Sequence, residues 1–156
     1  MKKLSHYDRS GRARMVDVSE KIDTKRTATA QAFVRIRPTV LKKLSQNPKG
    51  DPLEVARFAG IAAAKRTSEL IPMCHPLMLT HVDVTANVQA RGVSITAKAA
   101  TTGPTGVEME ALTAAAVAAL TVYDMTKALD KGIEIQDLCL VEKTGGKSGD
   151  FRRPGS

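Results

Sequence analysis

A cysteine and a histidine stand side by side in Ile71-Pro72-Met73-Cys74-His75-Pro76-Leu77-Met78, flanked by two prolines. Each proline removes a backbone donor and biases the residue before it away from the α region, so the segment reads as a stiff, exposed connector. A histidine held there can serve as a metal ligand, a catalytic group or a substrate clamp. Structural zinc is not indicated, because its ligands are usually spaced by two or more residues. No second Cys-x-x-Cys or His-x-x-x-His pair follows, and His6, His81 and Cys139 would have to be recruited from afar. Cys74 reads as a packed small residue rather than a nucleophile, since only His75 beside it on the connector can activate it. His81 alternates with Val82 and reads as a solvent-facing strand residue.

Other candidates for chemistry lie on one helix. Asp124 and Lys127 are three residues apart and share a face. Glu110 precedes Asp124 by close to four whole turns and falls near the same stripe. Two carboxylates and an ammonium along one ridge suit acid–base work if the ridge lines a pocket. A carboxylate beside an ammonium stays ionised and can act as a base, and a partly desolvated lysine can have its pKa lowered and act as an acid. Lys49-Gly50-Asp51 brings a lysine to the mouth of another helix, where free amide donors favour an anion such as phosphate. The stretch KTGGKSGDF at 143–151 lacks Walker spacing and reads as a flexible basic tail, with Lys143 and Lys147 as possible phosphate contacts.

The elements that must position these groups alternate between strand and helix periods, which predicts an α+β chain. Ala28, Ala30, Ala32, Val34 and Ile36 share one face of a strand over 27–36. Pro38 to Ser45 suits a short helix. Asp51 at an N-cap, Pro52 at the first helical position and Glu54 completing a capping box open a helix that should run until Pro72. Residues 80–88 and 93–99 alternate as a hairpin reversed at Ala90-Arg91-Gly92. Thr105-Gly106-Val107-Glu108 reads as a second capping box, opening an alanine-rich helix through 109–129 whose small faces permit close packing. A last strand is expected over 133–142.

The chain of 156 residues, 42% hydrophobic, fits one domain, 1–156, with a sizeable core and flexible terminal segments. No apolar run reaches the length of a membrane span, and MKKLSHYDRSGR turns polar before a signal peptide's apolar region can form. Two cysteines argue for no disulfide framework, and the whole fits a cytoplasmic protein. A net charge of +8 (24 Lys and Arg against 16 Asp and Glu) points to an anionic partner or to plain solvation of the surface. Two Tyr, three Phe and no Trp give no basic–aromatic repeat, which weakens nucleic-acid binding.

The stretches MVDVS at 15–19, KGD at 49–51, AGIAAAKRTSELIPMCHPLMLT at 59–80, GVEMEALTAAAVAALTVYDMTKA at 106–128 and KTGGKSGDF at 143–151 occur in the order of one family. Over nearly its whole length the chain resembles the MoaC-type cyclic pyranopterin monophosphate synthases of molybdenum-cofactor biosynthesis. The resemblance implies a ferredoxin-like subunit, an antiparallel sheet packed with helices, assembled as a hexamer (a trimer of dimers) with active sites at subunit interfaces. It implies conversion of cyclised dihydro-GTP, made from GTP by a radical enzyme, to cyclic pyranopterin monophosphate with release of pyrophosphate. No cofactor is implied, and magnesium is expected only as a companion of the triphosphate.

Matched position by position, Asp124, Lys127 and Lys49 resemble the family's catalytic residues. Met73, Cys74 and His75 resemble one substrate-binding stretch, and Met109 and Glu110 another. The expected division of labour gives Lys127 the proton-donor role, Asp124 the base or orienting role, and Lys49 the developing phosphate charge. Two rivals use the same residues differently: a nucleotide- or RNA-binding module with salt-dependent phosphate contacts, and an assembly protein in which the Asp124 pair is structural.

Overall fold

The computed structural model describes residues 6–155. The first five residues of the polar N-terminal stretch, and Ser156, lie outside that description. The elements run β1 (Thr24–Arg35), α1 (Pro38–Leu41), a 3₁₀ turn (Leu44–Gln46), α2 (Pro52–Ala64), α3 (Thr67–Leu70), β2 (Leu79–Gln89), β3 (Gly92–Gly103), α4 (Glu108–Thr126), β4 (Glu134–Thr144) and β5 (Phe151–Arg152). The expected α+β class holds. The strands form one antiparallel sheet in the order β2-β3-β1-β4-β5, with α2 and α4 laid together across one face. Helices between β1 and β2 and between β3 and β4 give the split βαββαβ connectivity.

Strand alternation built the core. Ala28, Ala30, Ala32, Val34 and Ile36 are all buried, and in register across the ladder so are Val93, Ile95, Ala97 and Ala99. On β2 the inward set weakens toward the hairpin: Val84 is buried but Val88 is exposed. Ala111, Ala114, Ala115, Ala118, Ala119 and Val122 turn the inner side of α4 into a surface of small side chains. That surface lets α2 approach so closely that a Cβ on Gly60 would lie 2.9 Å from the Ala114 carbonyl oxygen. The outward side of the helical layer keeps Val55, Phe58 and Leu120 exposed.

Several local expectations are corrected. The helix opened at Asp51 ends at Ala64 rather than running to Pro72, and α3 follows after a break. The Thr67 hydroxyl donates to the Ala63 and Ala64 carbonyls, offering the backbone an alternative to the helical ladder. Asp51 does cap α2 by accepting from the Leu53 N–H, but Glu54 pairs with Arg57 instead of closing the box. The Thr105 box does not form: the N-cap is Val107, without a side-chain cap, and Glu108 pairs with Lys143. The helix expected over 38–45 is one α turn followed by the 3₁₀ turn.

The glycine-rich stretch is a folded return and not an open tail. Gly145 and Gly146 take positive φ, the Gly145 N–H donates to Asp150, and β5 pairs back onto β4.

Candidate active site

The proline-bounded connector leaves α3 and lies beside the start of α4. With the N-terminal segment it encloses a cleft of about 310 Å³. Met73, Cys74, His75, Met109 and Glu110, which the family resemblance implies as substrate-binding, all line this one cleft. The two stretches are more than thirty residues apart in sequence, and folding alone brings them together. His75 is fixed from the third side, its Nε2 lying 2.7 Å from the Val16 carbonyl oxygen.

Glu110 is the electrostatic centre of the cleft. Only 4% of its surface is exposed, and burial pushes its carboxyl up to about 7. A hydrogen bond to its own backbone N–H opposes the rise and the nearby Glu108 carboxylate adds to it. Burial, and then the Glu110 charge, also push the Cys74 thiol up, which keeps it protonated and unreactive.

A second, wider cleft of about 950 Å³ continues from the first, sharing Lys21, Thr105, Gly106 and Glu108. Its wall carries both signs of charge, Lys21, Arg26, Lys143 and Lys147 standing with Asp17, Glu20 and Glu108. Lys143 bonds the Glu108 carboxylate at 3.0 Å and the Ser148 hydroxyl at 2.9 Å. The Arg26 guanidinium donates to the Gly103 and Pro104 carbonyls, tying the loop before α4 to β1. Sequence reading missed Arg26, Lys21 and Glu108 as wall residues. No local spacing signals them, because their neighbours come from distant segments.

Asp124, Lys127 and Lys49 form a separate group. Lys127 Nζ lies 2.6 Å from Asp124 Oδ1, and both side chains are more than half exposed. The Lys127 hydrogen bond and charge, joined by the Lys49 charge, hold the Asp124 carboxyl below its ordinary range. The lowering of the Lys127 pKa allowed for by desolvation is reversed: the Asp124 carboxylate beside the exposed ammonium raises it. The ridge expected to join Glu110 and Asp124 does not line one pocket of the chain. Glu110 lies in the buried N-terminal turn of α4, whereas Asp124 is exposed near its C-terminal end, roughly 20 Å away at 1.5 Å per residue.

His81 is exposed on β2, as expected of a strand residue. Among the described residues no group of three or more His, Cys, Asp and Glu side chains is placed to hold a metal ion, and no helix is long and apolar enough to cross a membrane.

Fold and cleft together define a small α+β protein in which a buried carboxyl, pushed up to about 7, lies beside walls of mixed charge. The chain belongs to the MoaC family, whose model matches residues 15–146. It is 57% identical over 155 residues to a protein of Roseiflexus sp. (strain RS-1) named cyclic pyranopterin monophosphate synthase, a match covering 97% of this chain and 98% of that one.

Proposed function

We propose that this chain is a cyclic pyranopterin monophosphate synthase of molybdenum-cofactor biosynthesis. Its substrate is cyclised dihydro-GTP, supplied by a radical enzyme, and its products are cyclic pyranopterin monophosphate and pyrophosphate. The observation that carries this reading is the convergence of Met73, Cys74, His75, Met109 and Glu110 on one cleft in a chain of this family.

The reaction rebuilds a purine-derived ring and closes a cyclic phosphate, so protons move at several heteroatoms while a polyphosphate is held. Glu110, with a pKa of about 7, carries or releases a proton near neutrality, as a group facing ring heteroatoms must. Lys127 donates from a firmly charged ammonium, Asp124 stays ionised as base or orienting group, and Lys49 offsets charge developing on phosphate. Any magnesium arrives on the triphosphate, held mainly by phosphate oxygens and water.

The two groups sit at opposite ends of α4, so a site containing both needs a second copy of the chain. The exposed Val55, Phe58 and Leu120 give the helical layer an apolar face for such contacts. The functional unit is thus a single ferredoxin-like domain assembled as a homohexamer, a trimer of dimers with its sites between subunits, working in the cytoplasm without membrane or nucleic acid. The test is incubation with freshly generated cyclised dihydro-GTP, following pyranopterin and pyrophosphate, with Asp124→Asn as control. Product from the wild type alone supports the reading; no product from well-folded wild type sinks it.

A further inference from the structure

We infer that Asn47 is a positioning residue for this reaction, an amide that locks the Lys49 turn onto the last turn of α4 and so sets Lys49 against the Asp124 and Lys127 pair. The inference rests on the functional reading above. Asn47 uses four polar groups, its N–H donating to the Leu44 carbonyl at 3.2 Å. Its Oδ1 accepts from the Lys49 N–H at 2.9 Å, and its carbonyl accepts from the Gly50 N–H at 3.1 Å. Its Nδ2 donates to the Met125 carbonyl at 2.7 Å, across 78 residues of sequence.

The sequence favours this arrangement. Asn-Pro-Lys-Gly places an asparagine at the first turn position, a proline at the second and a glycine at the fourth, each suited to its place. Gly50 takes φ +99, and Asp51 starts α2 at once. Lys49 is therefore held between a closed turn and a helix cap.

On the other side, the Met125 carbonyl belongs to the last turn of α4, where a helix has no donor of its own to offer. The Asn47 amide supplies one. Asp124 precedes Met125 and Lys127 follows it by two, so the bond that satisfies this carbonyl also fixes the turn carrying both. The charged groups acting on Asp124 are Lys127 from its own helix and Lys49 from the Asn47 turn. Among the described residues no other side-chain hydrogen bond links the 47–50 turn to α4.

The test uses the full chain with Asn47→Ala, which loses both side-chain bonds, and Asn47→Ser, which keeps a short acceptor for the turn but does not reach Met125. Each variant is expected to lose roughly 10- to 100-fold in kcat, with KM within about threefold, because Lys49 acts on charge that develops in the transition state. A kcat within about twofold of wild type in both variants would overturn the assignment. So would a loss that only tracks the unfolded fraction.

A second readout needs no turnover: the Asp124 carboxyl titration by carbon-13 NMR. Lys49→Ala should raise the Asp124 pKa, and Asn47→Ala should raise it in the same direction. An unchanged Asp124 in Asn47→Ala, or in Lys49→Ala itself, contradicts the positioning role. If the titrations move as expected while wild type makes no product, the functional reading fails and only the placing of Lys49 against Asp124 by Asn47 stands.

Discussion

Glu110→Gln tests whether the cleft imposes the electrostatics described. The carboxyl titrates near 7 in the folded chain against an ordinary value of 4.5, because burial disfavours its charge. Between those values the native state binds the proton more tightly than the unfolded chain, so stability is greatest at low pH and falls as pH rises toward and through 7. A gap of about 2.5 units at about 1.36 kcal/mol each makes the full loss about 3 kcal/mol, of which roughly 2.5 kcal/mol accrues between pH 5 and pH 8. Lowered carboxyls such as Asp124, Asp130, Glu134 and Glu142 act in the opposite sense at more acid pH, where they stabilise less as protons bind. The difference between wild type and Glu110→Gln removes their part. Urea unfolding at fixed protein concentration, at half-unit steps from pH 5 to 8, should give curves that converge at low pH and separate by about 2 to 3 kcal/mol in favour of the variant at pH 8. Parallel curves would refute the reasoning, since Glu110 would then titrate alike in both states.

Lys127→Ala should lower kcat by roughly 10²- to 10⁴-fold, the usual range for a proton-transferring group, while its thermal midpoint stays near wild type because the pair is exposed; near-normal turnover would remove its assigned role. Cys74→Ala should keep turnover within about twofold, and a large loss of rate with binding preserved would revive a nucleophilic thiol. Gly60→Ala should destabilise by about 1–3 kcal/mol in chemical unfolding through overpacking against Ala114 and Val84, and a neutral result would mean that α2 can shift away from α4 at little cost.

The fold was legible where burial is periodic. The alternation from Ala28 to Ile36 and from Val93 to Ala99 specified which faces meet, because a strand exposes opposite faces in turn. Asp51 and Pro52 marked the start of α2 through local chemistry alone. What escaped the sequence was decided by partners from elsewhere. Glu108 answers Lys143 rather than Thr105, and Glu54 answers Arg57 rather than its own cap. The break after Ala64 turns on a threonine hydroxyl competing for helical carbonyls. Met73, Cys74, His75, Met109 and Glu110 were singled out through family resemblance, but their convergence on one cleft is a tertiary fact, as is the burial that raises Glu110. The separation of Glu110 from Asp124 along α4 was likewise hidden, since helical phase shows who shares a stripe and says nothing of who shares a pocket.

That separation also supplies the most direct test of the whole account, namely that the chain is an enzyme whose site is completed by a second copy. His75→Ala and Asp124→Asn, each expected to be inactive alone, would be unfolded together, refolded as a mixture and assayed with cyclised dihydro-GTP. Random pairing makes half the dimers hybrid, and each hybrid holds one intact site and one doubly altered site. The account predicts recovery of about one quarter of wild-type activity per subunit. No recovery from mixtures shown to contain hybrids would contradict it, placing both groups in one subunit's site or removing them from the chemistry.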